Sequence, residues 1–595
     1  MEVTRFVKIA RGDEAADLLL RNGRVINVFT GEIVGGDLVI AEDTIVGVGG
    51  HRSASAGASA SLEAREELDL GGRYVCPGLI DAHVHVESSM VTPPHFARTV
   101  LPRGTTTVIS DPHEIANVCG ADGVRYMLDG SRGLGLSLYV MLPSCVPATH
   151  MATAGAELTA GDLAALADLP RVIGLAEFMN VPGLVLGDTG AVEKIEAFRG
   201  GVIDGHAPGV SGLWLQAYVG AGPGSDHECT TADEMIEKLR LGMMVFIREA
   251  TGARNLRDLL PAVTAENSRR CCFCTDDRHP ADLLDEGHLD HLVRLAVAEG
   301  LDPVMAIRMA TINAAEWFRL RDRGSIAPGK RADLIVFSDL RDFRPEMVFA
   351  GGRLVGRDGE FVGEWREPGS GDAAVRGTMD VRWDELSLAI PAPDSGSGGV
   401  ETRVIGVVPG QIVTEHLVER MPVSDGEVIA DIQRDILKLA VIERHGRTGN
   451  AGLGFVQGLG LQRGALAGSV GHDAHNLIVA GCDDRSMMTA ARRVADLQGG
   501  LVAAAGGTVL AEVPLPIAGL MADRPMHQVR RQMDELVGAA HDLGSELHDP
   551  LMTLGFLALE VIPELRLTDQ GLVDVGRFEI VPLFVGGAQG GRGLS

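Results

Sequence analysis

The central part of the chain, from about residue 72 to residue 320, alternates apolar runs typical of buried strands with stretches of helical periodicity. Eight β/α units in about 250 residues is the number expected for a TIM-like (β/α)8 barrel, although the same alternation allows an open doubly wound sheet. The sixth run is the weakest because the sequence AGPGS interrupts it. The eight predicted strands are Tyr74–Val86, Thr105–Asp111, Leu136–Leu142, Val172–Phe178, Gly201–His206, Ala217–His227, Met243–Glu249 and Cys271–Asp276.

The segments on either side of this barrel share a different pattern. Short β-branched runs alternate with Asn-Gly, Thr-Gly and Gly-Gly turns before the barrel, and a similar hairpin pattern returns after it. We therefore predict an α/β fold in which the barrel, residues 73–323, is inserted in a split β-sandwich formed by residues 1–72 and 324–366. A Ser/Ala/Gly-rich stretch, residues 51–66, is expected to form a surface loop.

The last third of the chain is predicted to form a further domain. Residues 367–400 are rich in Pro, Gly, Ser and Asp, which predicts a linker or an exposed segment. From residue 401 to residue 595, strand-like runs are mixed with two helical stretches, Ser486–Gln498 and Met526–Leu543. We predict a C-terminal α/β domain there, with an α+β arrangement as the alternative.

Composition narrows the class of protein. Lys and Arg number 53 against 81 Asp and Glu, so the net charge is −28 and nucleic acid is not the expected partner. The eight Cys follow no regular spacing, and no run of about 20 apolar residues is present. The first 20 residues carry charges where a signal peptide would be apolar. We expect a soluble, cytoplasmic protein without a membrane partner.

The strongest local signal for chemistry is the sequence DAHVHVE, with His83 and His85 two residues apart at the end of an apolar strand. A period of two places both imidazoles on the same side of a strand. The carboxyl end of a barrel strand is the floor of the active site in TIM barrels. A metal site is one interpretation, and a hydrogen-bonded histidine pair in a loop is the other.

Four further ligand-type residues fall at the ends of other predicted strands: Glu177, His206, His227 and Asp276. Any one of them alone is better explained by a structural hydrogen bond. Together with the first histidine pair they make four imidazoles and two carboxylates, enough for two divalent ions. Such ions activate water at neutral pH, and a carboxylate ligand can accept the proton of that water.

The barrel, the H-x-H sequence, the later histidines and the final Asp resemble the amidohydrolase superfamily. The sequence GSIAPGKRADLIV, residues 324–336, is similar to the segment where that superfamily returns from the barrel to the sandwich. Many members bridge their metals with a carbamylated Lys on strand four. The only barrel lysines here, Lys194 and Lys238, lie at no predicted strand end, and strand four offers Glu177 instead. This departure argues against the Lys-bridged branch, which includes hydantoinases and dihydroorotases.

Over nearly its whole length the chain more closely resembles the bacterial adenine deaminase family. The matching motifs are HVHVESSM (83–90), SDPHEIANV (110–118), LAEFMN (175–180), DGHAPG (204–209), SDHE (225–228), TDD (275–277), GFVQGLGLQRGALAGSVGHDAHN (454–476) and PLPIAGLM (514–521). The resemblance implies conversion of adenine to hypoxanthine and ammonia, in purine salvage, with two ions of Mn²⁺ or Fe²⁺ and less readily Zn²⁺. The metal ligands that it implies are His83, His85, Glu177, His206, His227 and Asp276.

The resemblance leaves the catalytic roles open. We expect Asp276 to be both ligand and general base, taking the proton of the water that attacks C6 of adenine. Glu228 follows a ligand, so it reaches the substrate only if the chain bends there. His113, Glu114 and Asp277 are candidates for moving protons or contacting the purine, and a role in orienting neighbouring ligands explains them equally well.

Two other signals are weaker. An H-x-E sequence at residues 85–87 and a C-x-x-C sequence at 271–274 resemble cytidine-deaminase motifs, but nearly 190 residues separate them. We interpret these cysteines as small buried hydrophobic residues of strand eight. His472 and His475 have metal-ligand spacing on a helix, but their Gly-rich neighbourhood favours a loop, and their role stays open.

We therefore predict a deaminase that uses adenine and water and works as a homodimer. One alternative is another hydrolase of the superfamily, acting on a different heterocycle or a cyclic amide. An alternative of another class is a non-catalytic metal- or ligand-binding protein on the same fold. The complete ligand set argues against this second alternative, because a decayed site loses ligands.

Overall fold

The structure is a computed structural model that describes residues 1–49, 63–365, 372–393 and 399–586. It confirms the α/β fold class, with a curled parallel sheet in the centre and additional sheets in the C-terminal region. Most of the predicted surface loop 51–66 lies outside the described residues. Within the described ranges, no helix is long and apolar enough to cross a membrane.

The chain begins with strands joined by tight turns, as the hairpin pattern predicts. The elements are α1 (Val3–Arg11), β1 (Ala16–Ile26), β2 (Ile33–Ala41), β3 (Thr44–Gly49), β4 (Ala64–Asp69) and β5 (Tyr74–Pro77). The first predicted barrel strand, Tyr74–Val86, is divided at Gly78, so that β5 joins this outer sheet. A Cβ at Gly78 would lie 2.2 Å from Thr106 Oγ1, which leaves room only for glycine at the division.

The ends of the barrel strands lie within two residues of the ends of the predicted runs, except at the first and sixth runs. They are β6 (Leu79–Val84), β7 (Thr105–Ser110), β8 (Ser137–Leu142), β9 (Val172–Phe178), β10 (Val202–Gly205), β11 (Ser225–Asp226), β12 (Met244–Arg248) and β13 (Cys271–Cys274). The helices between and after them are α2 (Pro93–Val100), α3 (His113–Cys119), α4 (Ala121–Gly130), α5 (Ala160–Leu166), α6 (Val181–Leu186), α7 (Thr189–Ala197), α8 (Gly212–Ala221), α9 (Ala232–Arg240), α10 (Leu256–Leu259), α11 (Pro280–Asp285), α12 (Leu289–Ala298), α13 (Pro303–Met309) and α14 (Ile312–Trp317).

The eight strands form two parallel sheets in chain order, β6 to β10 and β11 to β13. Backbone hydrogen bonds join the two sheets at both seams. At one seam the Gly224 N–H donates to the Ile203 carbonyl over 2.9 Å, and at the other the Asp276 N–H donates to the His83 carbonyl over 3.0 Å. The cysteines of β13 are all buried, as predicted, and burial raises the pKa of Cys271 to about 12.

The sixth predicted strand is wrong for most of its length. Residues 217–221 belong to helix α8, and β11 is only two residues long. Helix α8, GLWLQAYVGA, is apolar on nearly every side, and such a sequence has no amphipathic period to distinguish a helix from a buried strand. Inside the barrel wall, Leu215 and Tyr218 are the buried residues of this helix.

After the barrel the chain returns to the outer sheet through β14 (Leu334–Phe337), β15 (Met347–Ala350), β16 (Arg353–Arg357) and β17 (Glu360–Phe361). The nine strands are ordered β17-β16-β15-β14-β5-β1-β2-β3, and β4 pairs with β1. Strand β14 runs antiparallel to β5, with Ile335 opposite Cys76. The segments that flank the barrel in sequence are therefore joined in one sheet.

The C-terminal region contains an eight-stranded sheet with helices packed on it. The sheet is antiparallel except between the strands Val400–Val407 and Ala451–Gln457, which are parallel. The strands of the C-terminal region are β18 (Val400–Val407), β19 (Thr414–Met421), β20 (Val423–Ser424), β21 (Glu427–Val428), β22 (Ile436–Ile442), β23 (Ala451–Gln457), β24 (Ala465–Gly468), β25 (Leu477–Gly481), β26 (Gly500–Ala505), β27 (Thr508–Pro514), β28 (Leu565–Thr568), β29 (Gly571–Asp574) and β30 (Glu579–Val581). Strands β20 and β21 form a separate pair, and β28 to β30 form a separate three-stranded sheet. Its helices are α15 (Asp484–Asp496), α16 (Met526–Asp542) and α17 (Pro550–Phe556).

The C-terminal region packs against the mouth of the barrel. The Ala522 N–H donates to the Met90 carbonyl over 2.8 Å, and the Thr92 N–H donates back to the Ala522 carbonyl over 3.2 Å. Of residues 367–400, parts lie outside the described ranges, and in the described part Val381 and Leu388 are buried against the C-terminal sheet. The carboxyl ends of the barrel strands are thus covered by a second unit of the same chain.

Candidate metal centre

The structure brings the six predicted metal ligands together at the carboxyl ends of the barrel strands. His83 lies on β6 and Glu177 on β9, and the others follow the ends of their strands within two residues. All six side chains are buried: His83, His85, Glu177, His206, His227 and Asp276. Residues separated by up to 193 positions converge because parallel barrel strands present their carboxyl ends on one face.

One half of the cluster contains the H-x-H pair. The Nε2 atoms of His83 and His85 are 3.0 Å apart. Asp276 Oδ1 lies 3.1 Å from His85 Nε2 and 3.6 Å from His83 Nε2. The chain turns sharply after β13, because Asp276 has a left-handed φ of 55°. This turn brings its carboxylate in front of the two imidazoles.

Glu177 lies between this half and the other. Its Oε1 is 3.3 Å from His85 Nε2, whereas its Oε2 is 2.7 Å from His206 Nδ1 and 3.3 Å from His227 Nε2. One carboxylate therefore directs one oxygen to each histidine pair. A carboxylate placed in this way can bridge two cations.

The donor set fits a pair of divalent ions. The backbone carbonyl oxygen of Asp111 lies 3.0 Å from His85 Nδ1 and can only accept a hydrogen bond. Nδ1 of His85 is therefore the donor and carries the imidazole proton. His85 Nε2 then keeps its lone pair facing the cluster, the tautomer that metal coordination needs. Imidazole nitrogens and carboxylate oxygens without thiolate suit iron, manganese or zinc and do not select among them.

The carboxylates of the cluster are held ionised. Burial raises the pKa of Glu177, but the charge of His227 and hydrogen bonds with three histidines lower it to well below its usual range. Burial likewise raises the pKa of Asp276, and contacts with His83, His85 and Arg248 lower it well below normal. Burial and the neighbouring His227 lower the pKa of His83 to about 4, so this ring is neutral at pH 7.

Glu228 does reach the site, because the chain bends after β11. The Glu228 N–H donates to Asp226 Oδ2 over 3.1 Å, and this turn directs the Glu228 side chain into the cavity. Its two oxygens accept hydrogen bonds from Nη1 and Nη2 of the buried Arg248. Burial raises the pKa of Glu228, but Arg248, His206 and His227 together lower it further, so the net shift is downward. Glu228 is therefore an ionised acceptor.

Asp226 organises the loops that carry two of the histidines. It accepts from the Ala207 N–H over 2.8 Å, next to His206, and from Lys238 Nζ over 2.9 Å. Lys238 is fully buried and also donates to the Ala207 carbonyl over 2.7 Å and to Glu234 over 2.8 Å. This barrel lysine therefore has a structural role in the wall behind the metal centre.

His113, Glu114 and Asp277 surround the same cavity. His113 begins helix α3, with Nδ1 at 3.1 Å from Asp111 Oδ2 and 3.5 Å from Glu177 Oε1. Asp277 accepts a hydrogen bond from Ser88 Oγ. Glu114 contacts His472 and His475 of the C-terminal region. The structure thus places all three near the mouth but in different surroundings.

Three further features of the site were not predicted from the sequence. Arg248 is the basic last residue of an otherwise apolar strand, MVFIR, and that position was its one signal. Asp111 is buried beside His113 in the sequence SDPHE. The third group is the apolar lining that the C-terminal region adds to a cavity of about 50 Å³ at the metal centre, namely Ile412, Met552, Phe556, Leu559 and Ile562.

Two protein families match this chain. Residues 74–355 match the Amidohydrolase family, and residues 411–579 match the Adenine deaminase C-terminal domain. The amidohydrolase match covers the barrel with all six predicted ligands, and this family uses divalent metal.

Relatives at high identity extend over almost the whole chain. The adenine deaminase of Desulfatibacillum aliphaticivorans is 51% identical over 580 residues, which is 97% of this chain and 99% of that protein. Adenine deaminase 2 of Carboxydothermus hydrogenoformans is 48% identical over 97% of this chain and 98% of its own length. The adenine deaminase of Cereibacter sphaeroides strain ATCC 17025 is 48% identical, with 96% and 98% covered.

Proposed function

This chain belongs to the adenine deaminase family of amidohydrolases, and we propose on that premise that it hydrolyses adenine to hypoxanthine and ammonia. The observation that carries the proposal is the position of Glu177, with one oxygen toward His83 and His85 and the other toward His206 and His227. This arrangement supports a hydrolase with two cations, in which the reaction is attack of water at C6 of the purine.

The six buried residues of the cluster would hold two divalent ions, and we assign these as Mn²⁺ or Fe²⁺ on the basis of the family resemblance. When bound, divalent ions supply Lewis acidity that makes water nucleophilic near neutral pH. Glu177 replaces the carbamylated Lys of other family branches, since Lys194 and Lys238 donate to backbone carbonyls away from the cluster.

We assign the general base to Asp276. Its carboxylate is ionised, buried, and within 3.1 Å of His85 at the floor of the cavity. It would accept a proton from the attacking water and pass it toward a ring nitrogen or the departing ammonia. Arg248 holds the other oxygen of Asp276 over 2.9 Å, which fixes the direction of the accepting lone pair.

Glu228 and His113 would act on the purine from either side. Glu228 stays ionised beside Arg248, so it is suited to accept a hydrogen bond from the amino or ring N–H groups of the substrate. Burial lowers the pKa of His113, but the nearby Cys145, Asp111 and Glu114 raise it well above its usual value. His113 is therefore a proton donor at the cavity wall. Asp277 and Glu114 are assigned to substrate contact, Glu114 acting from the C-terminal side.

The experiment that tests the function is ammonia release from a panel of nucleobases. Apoprotein is loaded with Mn²⁺, Fe²⁺ or Zn²⁺ and then offered adenine, cytosine, guanine and adenosine. We expect release from adenine alone, fastest with Mn²⁺ or Fe²⁺. Release from another heterocycle but not from adenine would assign the chain to a different reaction of the superfamily. Absence of release with a fully loaded site would favour a binding protein.

We further propose that the protein is a cytoplasmic homodimer that serves purine salvage. Three large apolar side chains on the packed helices α6 and α8 are exposed: Leu186 at 76%, Leu213 at 81% and Trp214 at 45%. Apolar groups clustered on a surface are typical of association. Analytical ultracentrifugation of the protein and of its Leu213→Asp variant tests the dimer, which the variant should weaken.

A further inference from the structure

A loop of the C-terminal region enters the mouth of the barrel. It connects β24 to β25 and contains the sequence SVGHDAHN, residues 469–476. His472 and Asp473 of this loop line the same cavity as His85, His113 and Asp276. None of the proposed catalytic steps uses them, so the loop requires its own explanation.

Glu114 ties the loop to the barrel through two histidines. His472 Nδ1 lies 2.9 Å from Glu114 Oε1, and His475 Nε2 contacts Glu114 Oε2. The Gly471 N–H donates to His475 Nδ1 over 3.3 Å, so Nδ1 carries no proton and Nε2 does. His475 is therefore a hydrogen-bond donor to Glu114, and this tautomer leaves it without a lone pair for a metal.

His472 is the most exposed member of this group, and it lines the cavity together with Glu114. Its side chain is 11% exposed, whereas Glu114 is 3% and His475 is 0% exposed. Its ring also stacks on Phe556, with ring centroids 4.4 Å apart and planes 11° apart. A hydrogen bond at Nδ1 and a stacking partner together fix the plane and the direction of this imidazole.

Fixing Nδ1 to a carboxylate leaves Nε2 as the one hydrogen-bonding atom that His472 can offer to a bound molecule. Orienting an imidazole through a carboxylate is the arrangement that enzymes use where the other ring nitrogen meets a substrate. The cavity next to His472 is walled by Phe556, Leu559 and Ile562, which are apolar surfaces suited to the faces of a flat heterocycle.

We propose that His472 contacts the purine through Nε2, so that the C-terminal region completes the substrate site instead of only stabilising the barrel. This inference rests on the proposed adenine deaminase function. The partner atom is a ring nitrogen of the purine away from C6, because the metal ligands surround the position of the attacked carbon. On this proposal Glu114 serves the substrate site as a positioning residue that acts through His472, in place of the direct substrate contact assigned to it above.

Two substitutions of His472 separate its two nitrogens. His472→Asn places an amide near Nδ1, keeping the bond to Glu114 and losing the reach of Nε2. His472→Gln places an amide near Nε2. We expect kcat/KM for adenine to fall roughly 10- to 100-fold in His472→Asn, with partial recovery in His472→Gln, as loss of a hydrogen bond in a buried site predicts. The exposed His541→Asn, in the same region, is the matched control and should leave kcat/KM unchanged.

Metal content and analogue binding distinguish contact from a structural role. Both variants should retain the wild-type metal content and unfolding temperature. We expect 3-deazaadenine or 7-deazaadenine to bind more weakly than adenine to the wild type, and one of these differences to disappear in His472→Asn. The missing difference identifies the contacted nitrogen.

Two results would overturn the inference. One is wild-type kcat/KM in His472→Asn; the other is discrimination between the deaza analogues that is unchanged in both variants. If His472→Asn does not fold, the same analogue comparison in His472→Gln decides, because contact through Nε2 predicts altered discrimination there too. Failure of the wild type to release ammonia from adenine would instead overturn the proposed function, so the two failures are distinguishable.

Discussion

Arg248 donates a hydrogen bond from Nη1 to Asp276 Oδ2 over 2.9 Å, and both residues are buried at the carboxyl ends of adjacent strands. The same guanidinium contacts both oxygens of Glu228. One cation therefore serves two carboxylates, the proposed base and the proposed substrate acceptor. Without it, the pKa values of both carboxylates would rise, because burial opposes their ionisation.

Replacing Arg248 should change the pH dependence of the reaction. A base with a lowered pKa loses activity only when the pH falls through that pKa. In Arg248→Gln the pKa of Asp276 rises, so the acidic limb of kcat/KM should move upward by roughly 1–3 pH units, the range for loss of an adjacent opposite charge. Arg248→Lys keeps the charge and should shift the limb less. An acidic limb at the wild-type position in Arg248→Gln would argue that another group titrates there.

Removing the central carboxylate should lower metal content as well as rate. We expect about two equivalents of Mn²⁺ or Fe²⁺ per chain in the wild type and fewer in Glu177→Gln, because Glu177 directs an oxygen to each histidine pair. Elemental analysis after reconstitution measures this, with the exposed Glu193→Gln as control. Two full equivalents in Glu177→Gln, or recovery of metal-free protein by bicarbonate, would contradict a glutamate bridge.

Asp276→Asn should separate proton transfer from metal binding. Asparagine keeps the size and one ligand oxygen but cannot accept a proton, so kcat should fall roughly 10²- to 10⁴-fold while much of the metal stays bound. Steady-state kinetics beside elemental analysis gives both quantities. A kcat near that of the wild type would move the base to Glu228, His113 or Asp277.

The buried Lys238 should matter for stability because it balances Asp226 inside the barrel wall. Lys238→Met leaves the Asp226 carboxylate buried without its cation, which costs about 3–5 kcal/mol in unfolding free energy. The double variant Lys238→Met/Asp226→Asn should recover part of that loss. Denaturant unfolding of both, with the exposed Lys8→Met as control, tests the coupling. Additive losses in the double variant would contradict it.

The burial of Glu560 predicts that the free energy of unfolding decreases as the pH rises. It is buried, accepts from Thr149 Oγ1 over 2.9 Å, and burial raises its pKa to about 8. In the unfolded chain Glu560 loses its proton above its ordinary pKa of 4.5, whereas in the folded chain it keeps the proton up to about pH 8. The free energy of unfolding therefore falls as the pH rises from about 4.5 to about 8. The Glu560→Gln side chain does not titrate, so the variant lacks this pH dependence.

The advantage of Glu560→Gln over the wild type in unfolding temperature should therefore grow across that window. The exposed Glu535→Gln is the matched control and should show no such trend. A difference between Glu560→Gln and the wild type that is the same at pH 5 and pH 8 would refute the assignment.

Most of the barrel strands could be predicted from the sequence because buried parallel strands are short apolar runs with polar ends. The same feature located the six candidate ligands, since each follows or ends such a run. Helix α8 was not predicted, because its residues are apolar on nearly every side of the helix. One of these apolar residues, Leu213, is nevertheless exposed. Periodicity reports burial only where one face differs from the other.

Contacts between distant segments were beyond prediction. Glu114 and His472 are 358 positions apart, and no local pattern places one against the other. Arg248 could be identified as unusual in an apolar strand, but its partners Glu228 and Asp276 follow from barrel closure alone. Metal-ligand types are recognisable in a sequence, whereas the residues that orient them depend on packing.

The pairing of β5 with β14 also sets an order of events during protein synthesis. Ile335 lies opposite Cys76, so β5 leaves the ribosome long before β14, one of its two neighbours in the outer sheet, exists. At roughly 5–20 residues per second, the intervening segment takes about 10–50 s to be translated. The edge of β5 stays open through that interval, and the nascent barrel must form beside it.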